Sequence, residues 1–174
     1  LLHGCSRLMQ AQRAFTLIEM FIVLALLSIL GQIAVPALQD FLERNQQQAL
    51  YEQITRAVHN ARLHAVTHRI AVELCGSSDG ATCDNNWAHG WLLRDSQNKQ
   101  AVAVTQLNSQ HARLHWDGFR SSIRFNSNGI SPVGNGRFYS CYKHNIQWQL
   151  VLNRQGRLRT TNATENNAQA HRCS

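Results

Sequence analysis

Acid is nearly absent from the end of this chain. Residues 120–174 hold one carboxylate, Glu165, against eight basic residues (Arg120, Arg124, Arg137, Lys143, Arg154, Arg157, Arg159 and Arg172), for a net +7. Residues 1–119 are balanced, with nine Lys/Arg and nine Asp/Glu. The whole excess therefore lies in the last third, and it points to a polyanionic partner or an anionic surface. Charge is sparse over the whole chain: 16% of residues are charged and 44% hydrophobic. A chain of 174 residues with that balance can bury one modest core and carry an appendage. Other absences exclude chemistries. No C-x2-C pair exists, so a zinc site has no support there. His64 and His68 stand at i, i+4 without an acid or cysteine nearby in sequence, and read as a solvated or packed helix face. The glycine-rich stretches lack a P-loop lysine. No Ser/His/Asp, Cys/His or paired-carboxylate set has motif spacing. Catalysis, cofactor and metal are not expected. Asn162-Ala163-Thr164 fits a glycosylation sequon and carries no weight here.

Five cysteines are present. Cys5 precedes a long apolar run, and Cys75, Cys83, Cys141 and Cys173 follow it. An even set behind a membrane-targeting segment suggests two disulfides in an oxidising compartment. Three pairings are possible. Proximity favours Cys75–Cys83, closing a local loop, with Cys141–Cys173 pinning the tail.

The apolar run, FTLIEMFIVLALLSILGQIAVPAL, covers residues 15–38. As a helix it would span roughly 36 Å, enough to cross a bilayer. Arg7 and Arg13 precede it with no acid. That bias places the N-terminus on the cytoplasmic side and the remainder outside. No small-residue cleavage site ends the run, so the segment is expected to be retained. Glu19 lies inside it. An unpaired carboxylate at membrane depth is costly and marks a functional position.

The stretch Arg13-Ala14-Phe15-Thr16-Leu17-Ile18-Glu19 and Pro36 resemble the prepilins, the type IV pilins and type II secretion pseudopilins. The resemblance is specific over residues 13–38. It implies that a prepilin peptidase cuts between Ala14 and Phe15 and that Phe15 is N-methylated. Residues 1–14 are then a leader, and a start at Met9 makes it MQAQRA, which leaves Cys5 outside it. Glycine is usual before the cut, and Ala14 departs from that. The resemblance also implies that Glu19 neutralises the new terminal amine of a neighbouring subunit in a filament. Such a pair avoids a bare charge in an apolar core and sets axial register.

The helix is expected to continue over residues 39–69. Phe41, Leu42, Ala49, Leu50, Ile54, Ala57, Val58, Ala61 and Ala65 recur three and four apart, making this half amphipathic. Pro36 is expected to kink the helix rather than end it. From residue 70 to 174 short strands alternate with Gly, Asn, Asp and Ser. They are IAVELC, HGWLLRD, QAVAVTQL, ARLHW, SIRFNSNG, GRFYSCYK, IQWQLVLN and GRLRTT. Trp87 and Trp91 read as core residues. The fold class is α+β, one long helix followed by an antiparallel sheet. This is the outline the pilin resemblance implies. VELCGSSDGATC with the Gly90-Trp91 strand, and FNSNGISPVGNGRF, further resemble the GspH/FimT subgroup of minor pilins.

The last hairpin, IQWQLVLN-RQ-GRLRT, concentrates the functional expectation. Ile146, Trp148, Leu150 and Leu152 alternate onto one face, with Gln147, Gln149 and Val151 on the other. Gly156 suits a tight turn. Arg157 and Arg159 then project together, about 7 Å apart, which suits neighbouring phosphates. Arginine grips phosphate bidentately, as lysine does not. Gly156-Arg157-Leu158-Arg159 resembles the Gly-Arg-x-Arg motif of FimT-type minor pilins, implicated in DNA uptake during natural transformation. The resemblance implies DNA contact by Arg157 and Arg159. Position and charge add Arg154, Lys143 and Arg172. Contact through phosphates is independent of sequence. No aromatic neighbours the two arginines in sequence, and single-strand stacking is not expected. Tyr139, Tyr142 and Trp148 would serve only if exposed. The expected partners are double-stranded DNA, other pilin subunits, the inner membrane and a prepilin peptidase. The expected location is the bacterial inner membrane and an extracellular pilus. The alternative is a GspH-like pseudopilin with a structural role and no DNA binding.

Overall fold

The computed structural model describes residues 16–107 and 114–173. Ala14 and Phe15, the expected processing site, lie outside the described residues. Helix α1 (Leu17–His68) opens on Thr16, whose hydroxyl accepts from the Glu19 backbone N–H at 3.3 Å. It contains Pro36, and closes at Arg69, which takes the left-handed conformation with φ 57°. The chain divides into two compact units, Leu1–Leu42 and Glu43–Ser174.

In the first unit the helix is apolar and bare. Leu17, Ile18, Phe21, Leu30 and Ile33 are all more than 60% exposed. Its most apolar window has mean hydropathy 2.4, long and apolar enough to cross a membrane. Leaving this much apolar surface in water is unfavourable, so it requires lipid or other helices around it.

In the second unit α1 buries one stripe: Gln47, Leu50, Ile54, Val58, Ala61 and Ala65. Three expected stripe residues fall elsewhere. Phe41 and Leu42 belong to the first unit and are exposed, and Ala49 is exposed one position off the ridge. A glutamine replaces them at the head of the stripe. Gln47 is buried because its amide is satisfied twice, by the Ser140 hydroxyl at 2.5 Å and the Glu43 carboxylate at 2.9 Å.

Among the described residues eight strands follow: β1 (Val72–Gly76), β2 (Gly90–Asp95), β3 (Ala101–Gln106), β4 (Leu114–Gly118), β5 (Ser122–Phe125), β6 (Gly136–Tyr142), β7 (Asn145–Leu152) and β8 (Leu158–Thr160). They form two antiparallel sheets of four strands, β3-β2-β1-β5 and β4-β6-β7-β8, not the single sheet expected. The split occurs between β4 and β5. β4 joins β6 through Leu114↔Ser140, whereas β5 joins β1 through Val72↔Phe125. The inner residues Leu74, Ile123, Phe125, Phe138, Leu150 and Leu152 close on the α1 stripe with Trp87 and Trp91. Disulfides join Cys75 to Cys83 and Cys141 to Cys173, each with Cα atoms 5.6 Å apart.

The outer face of the first sheet carries one ionic knot. Glu73 takes two hydrogen bonds from Arg94 at 2.9 and 2.7 Å, one from Ser122 at 2.8 Å and one from Lys99 at 3.3 Å. Burial raises the Glu73 carboxyl, but the Ser122 and Arg94 hydrogen bonds outweigh it and hold the group below the usual carboxylate range.

After β8 the tail folds back. Helix α2 (Ala163–Ala168) begins with a capping box, Asn162 accepting from the Glu165 backbone while Glu165 accepts from that of Asn162. A 3-10 turn (Ala170–Cys173) follows. The tail covers one half of the outer face of the second sheet. Gln149, expected on the solvent side, is therefore fully buried. Its amide donates to Asn166 at 3.0 Å and its carbonyl accepts from Arg137 at 3.2 Å. A polar side chain at that position is stable only with both halves paired.

Candidate nucleic-acid interface

The turn between β7 and β8 is built by local hydrogen bonds. The Gly156 N–H donates to the Asn153 carbonyl at 2.9 Å, and the Arg157 N–H to the Asn153 side chain at 2.9 Å. Gly156 has φ 72°, and a Cβ there would stand 2.7 Å from the Gly129 carbonyl oxygen. Both the conformation and the close approach require glycine. The Arg154 carbonyl accepts from the Ser131 N–H at 3.0 Å, so the turn is clamped onto the loop after β5. Its two arginines, Arg154 and Arg157, are exposed. Among the described residues neither has a carboxylate partner.

Cross-strand register extends the charge across the sheet. Asp117, Arg137, Val151 and Arg159 lie in one row on the outer face. Arg159 is not free, however. Its guanidinium meets the Glu165 carboxylate bidentately at 2.9 and 3.0 Å, with the arginine side chain 60% exposed. The hydrogen bond from Arg159, together with the Asn162 backbone, holds the Glu165 carboxyl below its ordinary range. The expected free pair of Arg157 and Arg159 is thus corrected: Arg157 has no carboxylate partner among the described residues, and Arg159 stands in an ion pair with Glu165. The reason is the tail: α2 brings the one acid of the C-terminal third to β8.

The remaining candidates separate. Arg172 is locked by the Asp117 carboxylate and donates to Gln169 at 2.7 Å. Lys143 lies in the β6–β7 turn with its ammonium 4.9 Å from the Tyr142 ring centre. That turn is at the opposite end of β7 from Arg154, roughly 25 Å away at strand rise. The structure therefore gathers Arg154, Gly156 and Arg157, sets Arg159 beside them in an ion pair, and leaves Lys143 apart. It also brings in Arg62, which sequence reasoning missed. A Cβ on Gly129 would meet the Arg62 Nε at 3.1 Å, so this helix residue abuts the loop that holds the turn. Nothing in local sequence spacing signals that contact.

His64 and His68 stack with ring centres 4.0 Å apart. No group of three potential metal ligands occurs among the described residues. Glu19 is exposed near the start of α1.

A family model described as type II transport protein GspH matches residues 51–156. The chain belongs to the GspH family. Residues 9–31 match the prokaryotic N-terminal methylation motif. Prepilin peptidase-dependent protein D of Escherichia coli is 37% identical over 78 residues, covering 44% of this chain and 46% of that protein. A fimbrial protein of Pseudomonas aeruginosa is 48% identical over 97 residues, covering 56% and 62%. A fimbrial protein Q of Moraxella bovis is 53% identical over 38 residues, 22% of this chain and 24% of that one. The chain thus matches less than two thirds of the length of these relatives. The crystal structure of the type IV minor pilin FimU of Pseudomonas aeruginosa superposes with a TM-score of 0.52 at 21% identity, over 71% of this chain and 94% of that one. The fold is accordingly the type IV pilin fold, and family and fold are those of structural subunits rather than enzymes.

Proposed function

We propose that this GspH-family chain is a minor type IV pilin of the FimT kind, which binds double-stranded DNA without sequence preference for uptake in natural transformation. A prepilin peptidase would cut between Ala14 and Phe15, and Phe15 would be methylated. The apolar helix would hold the subunit in the inner membrane before assembly into a pilus. Glu19 would neutralise the terminal amine of a neighbouring pilin subunit. The observation that carries the DNA reading is the β7–β8 turn. Arg154 and Arg157 are exposed on a turn whose backbone is held by hydrogen bonds, without a carboxylate among the described residues, in a chain end of net +7. Guanidiniums match phosphate oxygens and ignore base identity.

A second reading has its own support. Arg159 and Arg172, two of the expected DNA contacts, are already paired with Glu165 and Asp117. That favours a GspH-like pseudopilin with a structural role in secretion or at a pilus tip. One measurement separates the two. The full chain in detergent micelles is titrated with a duplex at low salt, beside Arg154→Gln plus Arg157→Gln. Capture through the turn predicts about tenfold weaker binding for the variant and a salt slope shallower by about two. Equal binding by the two proteins removes the turn as the DNA contact, and absence of binding by both leaves the structural subunit alone standing.

A further inference from the structure

The tail covers only half of the outer face of the second sheet. The other half, toward the β7–β8 turn, is a groove of about 510 Å³. Its lining includes Phe119, Asn135, Arg137, Val151, Asn153 and Arg154. Phe119 comes from the β4–β5 turn, remote in sequence from the arginines, and is 69% exposed. Its backbone is nonetheless held in place. Its N–H donates to the Asn135 carbonyl at 3.0 Å, and the next carbonyl, that of Arg120, accepts from the Trp116 indole at 2.7 Å. The Arg120 guanidinium stands 5.9 Å from the Phe119 ring centre.

The groove combines three chemistries. Phe119 offers an aromatic face. Arg137 and Arg154 offer guanidiniums, and Arg137 spends one donor on Gln149 while carrying five. Asn135 offers a carboxamide, able to pair with either donors or acceptors. The one carboxylate lining it, Asp117, is engaged by Arg172. A paired duplex buries its base faces and could use only the cations. An unpaired base could stack on the ring while its flanking phosphates meet the arginines. The volume lies within the range of ordinary ligand pockets.

We infer that this groove binds single-stranded DNA, with Phe119 as the stacking platform and Arg137 and Arg154 as phosphate contacts. The inference rests on the nucleic-acid reading above and deepens it, adding strand ends and unpaired stretches to the substrate class. The full chain in detergent micelles is titrated at low salt with labelled oligothymidylate and with a blunt duplex. Phe119→Ala weakens the oligothymidylate complex about tenfold and the duplex complex less than about twofold. Phe119→Trp retains single-strand affinity, and Arg154→Gln weakens both complexes. Single-strand affinity unchanged in Phe119→Ala overturns the inference, as does an equal loss on both ligands. Lost filament incorporation by Phe119→Ala with both affinities intact overturns it too, by making the ring a subunit contact. Wild type that binds duplex but not oligothymidylate retires the groove alone. Phe119-dependent binding of oligothymidylate without duplex binding retires the duplex reading alone.

Discussion

Glu165 is the only acid after Asp117, and it performs two tasks. It closes the capping box of α2 and it holds Arg159. The two tasks can be separated, because glutamine also serves at the third position of a capping box. Glu165→Gln should therefore keep the helix and release the guanidinium. An exposed ion pair is worth little, so the expected gain in duplex affinity at low salt is about two- to fivefold. Weaker or equal binding by the variant would show that Arg159 takes no part in DNA contact. The same pair sets a pH dependence. The Glu165 carboxyl is lowered, chiefly by its hydrogen bond from Arg159 and then by the Asn162 backbone. The ion pair is therefore complete above the ordinary carboxylate range and is lost as pH falls through the lowered value. Wild-type affinity should rise in that acidic window, and the Gln variant should lack the rise.

Among the elements, the tail departs most from what local pattern conveys. All eight strands follow from alternation and turn residues, because each strand face is set by its own sequence. The sheet to which each strand belongs does not follow, since pairing such as Val72↔Phe125 joins residues far apart in the chain. Helix α2 was hidden for a different reason. ATENNA is four polar residues between two alanines, with no apolar stripe. Its one legible signal was the cap, an Asn with a Glu three positions later. Missing that helix also misplaced Gln149 and left Arg159 without its acid. The tail is tied down by Cys141–Cys173, which spans 32 residues. Cys141→Ser together with Cys173→Ser should cost about 3 to 4 kcal/mol on the chain-entropy account. Hydrogen exchange should rise through α2 and around Gln149, while β1 and β2 keep their protection. Unchanged exchange in α2 would mean that the Asn162 cap and the Asn166 contact suffice to hold the tail.

On the scale of the whole molecule, two regions carry opposite duties, a neutral apolar helix and a cationic chain end. The first was fully legible: length, apolarity, Arg13 and Glu19 identify it without coordinates. The second was legible as an excess of charge but not as a surface. Only the fold distinguishes Arg154 and Arg157, which are exposed, from Arg172, which is spent on Asp117. Glu19→Ala offers a test at this scale. On the filament reading, incorporation into sheared pili should fall several-fold while the amount in the membrane fraction holds steady. Equal incorporation would remove the role assigned to that carboxylate. The Cys141–Cys173 bond has a consequence in time as well as in space. On the proposed topology this thiol pair would close after export, where cellular reductants no longer reach it. The arrangement of tail, acid and arginines on the second sheet would therefore be completed late. On that reading a newly made chain would carry Arg159 and Arg172 less firmly paired than the exported subunit, in which the tied tail holds the one against Glu165 and the other against Asp117.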